Sequence, residues 1–516
     1  MTLDFSNLRL IFRRGGATSE PVAPAEDEVV IGYTENKRPV TLGKPSQDRG
    51  HHHLVVGATG CHKTVLLSAA LATEVARTPR EELGLVLVDP KGDLLTFLHA
   101  LAACAPDRLA DCVVIDPFAV SPFPFNLTRL DRTGVPLELR ALELALLCAS
   151  LSTEQGSQKS LGAGSRQIDV TQNVLAAVLA ADHAKANPTW AVDALVAPRG
   201  KGLKQLAEFA AGAGRAKQFL ETAFLSDELA ASCAARLRLA FTASTAIERM
   251  MAADTSVQFA DLTAPGRIVL IDCSRPTAGL SALQIYWASL LTRLLLSHLI
   301  QARPCPSRGH HHLRIVVDEA PMVLNSTIVA EAVNTLVTTG RSRNLSIVLI
   351  CQGTSQIQDP ALLSILVGNT TRIVGRCCAK DADLLARDVA PGAGVDESAS
   401  SVRARVSSSI SNLADGEFYR FGPGRRERFT NIQVDMNAWK TAAQRHAAAI
   451  GAARNRLAMP PDFSPRVSLA DALAERRAQQ KRQDKSSPSK SRPRSGSAAT
   501  SDESTGPKPK PRSRWG

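Results

Sequence analysis

HHHLVVGATGCHKTVLLSAAL, residues 51–71, decides how this chain is read. A short apolar run, 54–56, meets a glycine-bearing loop, and the loop meets a stretch with helical apolar spacing from Thr64. Gly57, Lys63 and Thr64 stand where a phosphate-binding loop of the form G-x-x-x-x-G-K-[ST] needs them. Such a loop turns consecutive backbone N–H groups inward around phosphates and adds the positive end of the following helix. One position departs from the pattern: His62 stands where the second glycine is expected. If that position requires positive φ, a side chain there costs about 1–2 kcal/mol, and histidine is among the more tolerant residues.

Working outward, similar apolar runs recur at 83–89 (LGLVLVD), 112–116 (CVVID), 267–272 (RIVLID), 313–318 (LRIVVD), 345–351 (LSIVLIC) and 371–375 (TRIVG). They are nearly continuous rather than alternating, the mark of strands covered on both faces. Helical spacing lies between them, as at 65–77 and 280–300. The expected class is α/β, a P-loop domain with a parallel central sheet. Between 121 and 263 the strand signal stops, and Ala- and Leu-rich helical patterns at 137–151, 167–186, 203–211 and 228–251 predict an inserted all-α domain. A polar stretch, 153–165, is expected to be a loop. The predicted organisation is a small β-rich segment at 1–50, a P-loop domain from 51–120 and 264–430, the insertion at 121–263, helices at 431–483 and a disordered basic tail at 484–516.

A second element supports the first. LRIVVDEA, 313–320, is an apolar strand ending in two carboxylates. Asp318 is placed to hold Mg²⁺ and Glu319 to polarise an attacking water, if both face the loop. The competing reading is two acids capping the next helix.

The chain of 516 residues carries a net charge of +12, but the segment from 475 onward holds 12 Lys/Arg against 4 Asp/Glu. The body is therefore close to charge-balanced. Aromatic content of 4% leaves few platforms for stacking bases. The ten cysteines include no C-x-x-C and read as reduced, buried thiols of a cytoplasmic chain. Cys61, in the loop, reads as a small filler. No uninterrupted run of 18 apolar residues exists, and 1–14 lacks a signal-peptide core. RGHHHL occurs at 49–54 and again at 308–313; both copies precede strands, so they are read as strand entries rather than a metal site.

Taken in order, VVGATGCHKT (55–64), LVLVDPKGDL (85–94), CVVIDPF (112–118), IVVDEA (315–320), GRSRNLSIVLICQG (340–353) and GNTTRIVGRCCAKDADLLA (368–386) resemble the HerA–FtsK superfamily of hexameric pumping ATPases. The similarity is greatest to the TraD/TraG-like coupling proteins of conjugation and type IV secretion. The resemblance implies a RecA-like fold with ATP and Mg²⁺. Gly57, Ala58, Thr59, Gly60, Cys61, His62, Lys63 and Thr64 would surround the phosphates, and Thr64 and Asp318 would hold the metal. Glu319 and Lys63 would be catalytic, Gln352 would sense the γ-phosphate, and Arg341 or Arg376 would complete a neighbour's site. Asp89 and Lys91, in the DPKGD motif at the nucleotide edge of the sheet, would also help bind the nucleotide. The resemblance further implies a homo-hexamer that moves DNA, recruited to the inner membrane by a membrane-anchored partner because this sequence shows no anchor of its own. Two alternatives stay open: a nucleotide-binding hexameric scaffold without turnover, motivated by His62, and a HerA-like motor in mobile-element maintenance or defence.

Overall fold

The computed structural model describes residues 12–13, 29–42, 51–93, 95–131, 134–151, 164–210, 212–274, 281–303, 305, 309–386, 398–422, 425–459 and 466–486. The chain forms two compact units, 1–470 and 471–516. The described part of the second is helical, within Leu469–Ser486. The expected loop at 153–165 lies outside the described residues up to 163, as does the tail beyond 486.

Thirteen strands occur among the described residues: β1 (Phe12–Arg13), β2 (Val30–Tyr33), β3 (Pro39–Thr41), β4 (His53–Val56), β5 (Leu83–Asp89), β6 (Cys112–Ile115), β7 (Ile268–Asp272), β8 (His312–Val317), β9 (Leu345–Cys351), β10 (Thr371–Val374), β11 (Glu417–Gly422), β12 (Arg425–Asn431) and β13 (Gln433–Val434). Eleven form one sheet in the order β3-β2-β12-β11-β10-β4-β9-β8-β5-β7-β6. From β10 to β6 every pairing is parallel. These seven strands are the seven apolar runs. The other four add an antiparallel flank through β11, so the sheet is mixed rather than wholly parallel. The two short strands expected in 1–50 are β2 and β3, and they extend this flank.

Alternation explains the continuous runs. Val55, Leu85, Leu87, Val114, Leu270, Val316, Val348, Ile350 and Ile373 join one core with the helix after the loop, α1 (Lys63–Arg77), and with Leu95–Cys104. Their neighbours Leu54, Val56, Val86, Val88, Val269, Ile315, Val317, Ile347 and Leu349 are equally buried on the opposite face. The helix Ser281–Ala302 and the helix Thr327–Thr339 pack against each other. Among the described residues Ala282–Ala302 alone is long and apolar enough to cross a membrane, but 72% of its apolar window is buried inside the protein, as suits a core helix.

Between β6 and β7 the described residues form helices, from Leu137–Ser150 to Phe259–Leu262, and contribute no strand to the sheet. A single bridge, Phe125 to Ser256, closes their base. The long pattern at 228–251 divides into Asp227–Phe241 and Thr245–Met251, because Ser244 caps the second helix by accepting the Ile247 N–H at 3.2 Å. The pattern at 167–186 is helical only within Ser165–Leu179. Helices Met436–Arg445 and Ala447–Asn455 follow β13 and return to the α1 face, where Trp439 and Ala453 enter the core.

One charged pair ties α1 to the sheet. Arg314 of β8 donates to Glu74 of α1 at 2.8 Å, with both side chains only 5% exposed. Removing one partner strands a buried charge, which costs about 3–5 kcal/mol. Glu74→Ala or Arg314→Leu is therefore expected to lower the unfolding free energy by that much, read from equilibrium denaturation. Replacing both with Met should cost clearly less, measured as a double-mutant cycle.

Candidate functional site

Parallel pairing puts the carboxyl ends of β4, β9, β8 and β5 on one edge. Backbone bonds lace that edge: Gly57 N–H donates to Cys351 O at 3.2 Å, Ala320 N–H to Ile350 O at 2.7 Å, and Asp318 N–H to Val88 O at 2.9 Å. The loop after β4 and the acids after β8 thus lie one strand apart, with Gln352 emerging from β9 between them.

In the loop, Lys63 curls back and its Nζ donates to the carbonyls of Gly57 and Ala58. Ala58 N–H donates to Arg376 O at 2.6 Å, which braces the loop against the end of β10. A Cβ on Gly57 would lie 2.7 Å from Cys61 Sγ, so the glycine makes room for the cysteine packed beneath it. Cys61 is fully buried and burial raises its thiol pKa; it is a filler. His62 caps α1 with φ 68° and ψ 25°, the left-handed region. The glycine-like conformation inferred from the pattern is present, carried by an exposed histidine. The first N–H groups of α1, including those of Lys63 and Thr64, have no acceptor within the helix and form its positive end.

Asp318 is buried, and its Oδ1 accepts the Glu319 N–H at 2.9 Å. Its Oδ2 is buried with no partner. Burial pushes the Asp318 carboxyl up to about 7, and the nearby Asp89 carboxylate pushes the same way. A buried carboxylate oxygen without a donor is suited to a cation or its water shell, so these residues fit the Mg²⁺ that the motif implies. Glu319 has φ 43°, a strained value for a branched-free but non-glycine residue. Its Oε2 accepts Gln352 Nε2–H at 3.0 Å and lies 3.8 Å from Lys91 Nζ. Asp89 accepts the N–H groups of Lys91 and Gly92 through one oxygen, holding the DPKGD turn.

Arg376 pairs with Asp415 at 2.9 Å, close to the loop of its own chain. Arg341 is not part of this edge: it precedes β9, beside His52 at the amino ends of the strands. Both histidine triplets are there too. His52 Nδ1 accepts the Ile347 N–H at 3.2 Å, and His312 Nε2 lies 2.9 Å from Ser346 Oγ. Burial lowers His52 to about 4, so it is neutral. No group of three metal-ligating side chains occurs among the described residues. All ten cysteines are free.

Two features escape a reading of the sequence. Asp381 is buried and accepts Thr354 Oγ1–H at 2.7 Å and the Ser355 N–H at 3.0 Å, anchoring the turn after Gln352. KDADLL holds two aspartates, and only packing shows which one turns inward. The hairpin of β11 and β12 was legible only as weak alternation around GPGRR. It brings Gly416 beside the loop, where an added Cβ would lie 3.7 Å from His62 Nδ1.

No family model matches the chain, and no curated protein matches it in sequence. Solved structures do match. VirB4 of Thermoanaerobacter pseudethanolicus superimposes with a TM-score of 0.53 at 16% identity, over 81% of this chain and 98% of that one. The plasmid coupling protein TrwB, in complex with the ATP analogue ADPNP, superimposes with a TM-score of 0.52 at 17% identity, over 82% and 95%. The unbound form of this bacterial conjugative coupling protein gives 0.50 at 17%, over 79% and 89%. The chain has the fold of VirB4 and TrwB. That is the RecA-like fold expected from the resemblance to the HerA–FtsK superfamily.

Two outcomes follow from the geometry. Relieving the left-handed histidine with His62→Gly should raise stability by about 1 kcal/mol, net of the extra unfolded-state freedom of glycine; equilibrium denaturation measures it. Asp318 binds its proton more tightly folded than unfolded, so its contribution to stability is lost as pH rises from about 3.8 through about 7. Asp318→Asn should therefore be more stable than wild type above pH 7 in Mg²⁺-free buffer, by at most about 4 kcal/mol, and the gap should close at pH 4.

Proposed function

We propose that the protein is a P-loop ATPase that drives DNA movement as a ring, in the manner of a conjugation-type coupling ATPase. The observation that carries the ATPase reading is the placement of Asp318 and Glu319 one strand from Lys63, with one Asp318 oxygen buried and unpartnered. The backbone of Gly57–Thr64 would hold the phosphates of ATP. Lys63 would exchange its contacts with the Gly57 and Ala58 carbonyls for phosphate oxygens. Thr64 and Asp318 would hold Mg²⁺, which neutralises phosphate charge when bound. Glu319 would accept a proton from the attacking water, while Gln352 fixes its carboxylate and reports on the γ-phosphate.

Sites shared between subunits need an arginine from a neighbour. Arg376 is engaged by Asp415 in its own chain. Arg341 is exposed and makes no ion pair among the described residues, so it is the better candidate for a trans role. The TrwB likeness, a coupling protein solved with an ATP analogue, supports ATP as ligand and a place beside a transfer apparatus. On this reading the protein is a homo-hexamer that works in the cytoplasm at the inner membrane, held there by an anchored partner, with backbone contacts to DNA.

The test is Mg²⁺-dependent ATP hydrolysis by the full chain, with and without DNA. Lys63→Ala is expected to abolish binding and turnover. Glu319→Gln should retain ATP while losing about 100-fold or more in kcat. Binding without turnover that only His62→Gly restores would favour the scaffold. Turnover indifferent to DNA, with no DNA bound, would leave an ATPase and remove the DNA motor.

A further inference from the structure

The DPKGD turn contains a second lysine at the site, and its surroundings do not suit a phosphate ligand. Lys63 already supplies the phosphate-binding cation from the loop. Lys91 lies on the other side of Glu319, because β5 is the neighbour of β8, with Val88 opposite Val317. Its backbone is clamped. Asp89 Oδ1 accepts the Lys91 N–H at 3.0 Å and the Gly92 N–H at 2.6 Å. Gly92 has φ 93°, and a Cβ there would meet Ser274 Oγ at 2.9 Å. Ser274 is itself tied to Asp272 of β7. The turn therefore cannot carry Lys91 far from the acid strand.

The ammonium group faces carboxylates. Lys91 Nζ lies 3.4 Å from Asp93 Oδ2 and 3.8 Å from Glu319 Oε2. The same Oε2 accepts the Gln352 N–H at 3.0 Å. Both contacts fall on one oxygen of Glu319, and Oε1 has no partner among the described residues. A base held this way keeps one oxygen free for the proton while the other is fixed by a neutral donor and a cation. Glu319 is 14% exposed at its side chain, so the cation acts where water screens less than at the open surface.

Resting on the ATPase reading above, we infer that Lys91 is a positioning residue for Glu319 rather than a ligand of the nucleotide. It holds the carboxylate turned so that Oε1 takes the proton of the attacking water. As the water oxygen bonds to the γ-phosphorus, the bond from that phosphorus to the bridging oxygen breaks and its electron pair leaves with ADP. A cation placed for this purpose changes the rate of the step and not the grip on ATP. A half-exposed ion pair with no such role would change neither.

The experiment uses the full-length protein with ATP and saturating Mg²⁺, and reads kcat, KM and the Kd for ATP in wild type, Lys91→Met and Lys91→Arg. Lys91→Met should lose about 10- to 100-fold in kcat, the range seen when a group orienting a site residue is removed, with the Kd for ATP moving less than about threefold. Lys91→Arg, which keeps the charge, should recover most of the loss. In a Glu319→Gln background Lys91→Met should add almost nothing, since the two act as a unit. An unchanged kcat in an active protein overturns this inference alone. So does a Kd that rises in step with the loss of kcat, the behaviour of a phosphate ligand. A further tenfold loss in the Glu319→Gln background also overturns it. A wild-type chain that turns over no ATP overturns the ATPase reading, and this inference with it.

Discussion

Seven strands hydrogen-bonded in parallel must all end on the same edge, and the site depends on that constraint. Nothing between residues 57 and 319 in sequence brings Lys63 near Asp318. The order β4-β9-β8-β5 does, by placing a single strand between the phosphate loop and the acids. The same rule sends both histidine triplets and Arg341 to the opposite edge. Burial of the strands on both faces supplies the stabilisation, about 1.5–3 kcal/mol for each large apolar side chain fully removed from water. It also makes the edge rigid enough to hold groups that would otherwise relax.

Those groups are concentrated at that edge. His62 and Glu319 are two of four non-glycine residues with positive φ among those described. Asp318 is a buried acid beside other acids, with one oxygen unsatisfied. Each is unfavourable taken alone, and each becomes intelligible if a polyanion and a cation complete the site. The structural groups elsewhere behave in the opposite way. Glu74 and Arg314 pair, His52 stays neutral and accepts a backbone N–H, and Cys61 fills the space that Gly57 leaves.

The helical region between β6 and β7 is built by different means. Its Ala- and Leu-rich helices are stapled to the carboxyl-proximal connector, where Arg466 donates to both Asp193 and Glu248 and Trp190 Nε1–H donates to Val467 O at 2.9 Å. This region packs within the first compact unit rather than standing apart from it. The antiparallel flank has a comparable role on the other side: β11 pairs with β10, β12 pairs with β11, and together they set Phe418 and Phe429 into the core shared with α1.

The amino-acid sequence by itself determined the seven parallel strands, the helical stretches between β6 and β7, and that Lys63, Thr64, Asp318, Glu319 and Gln352 follow strand ends, which the structure gathers on one edge. Those signals are local: an apolar run covered on two faces, a loop with fixed spacing, and a carboxylate pair at a strand end. The tertiary structure alone decided that β2, β3, β11 and β12 extend the same sheet, because weak alternation does not name a pairing partner. It alone turned Asp381 inward and separated Arg341 from Arg376. It also placed Lys91 against Glu319 rather than beside Lys63. Strand order and side-chain direction arise from contacts between segments hundreds of residues apart, and no spacing along a chain encodes them.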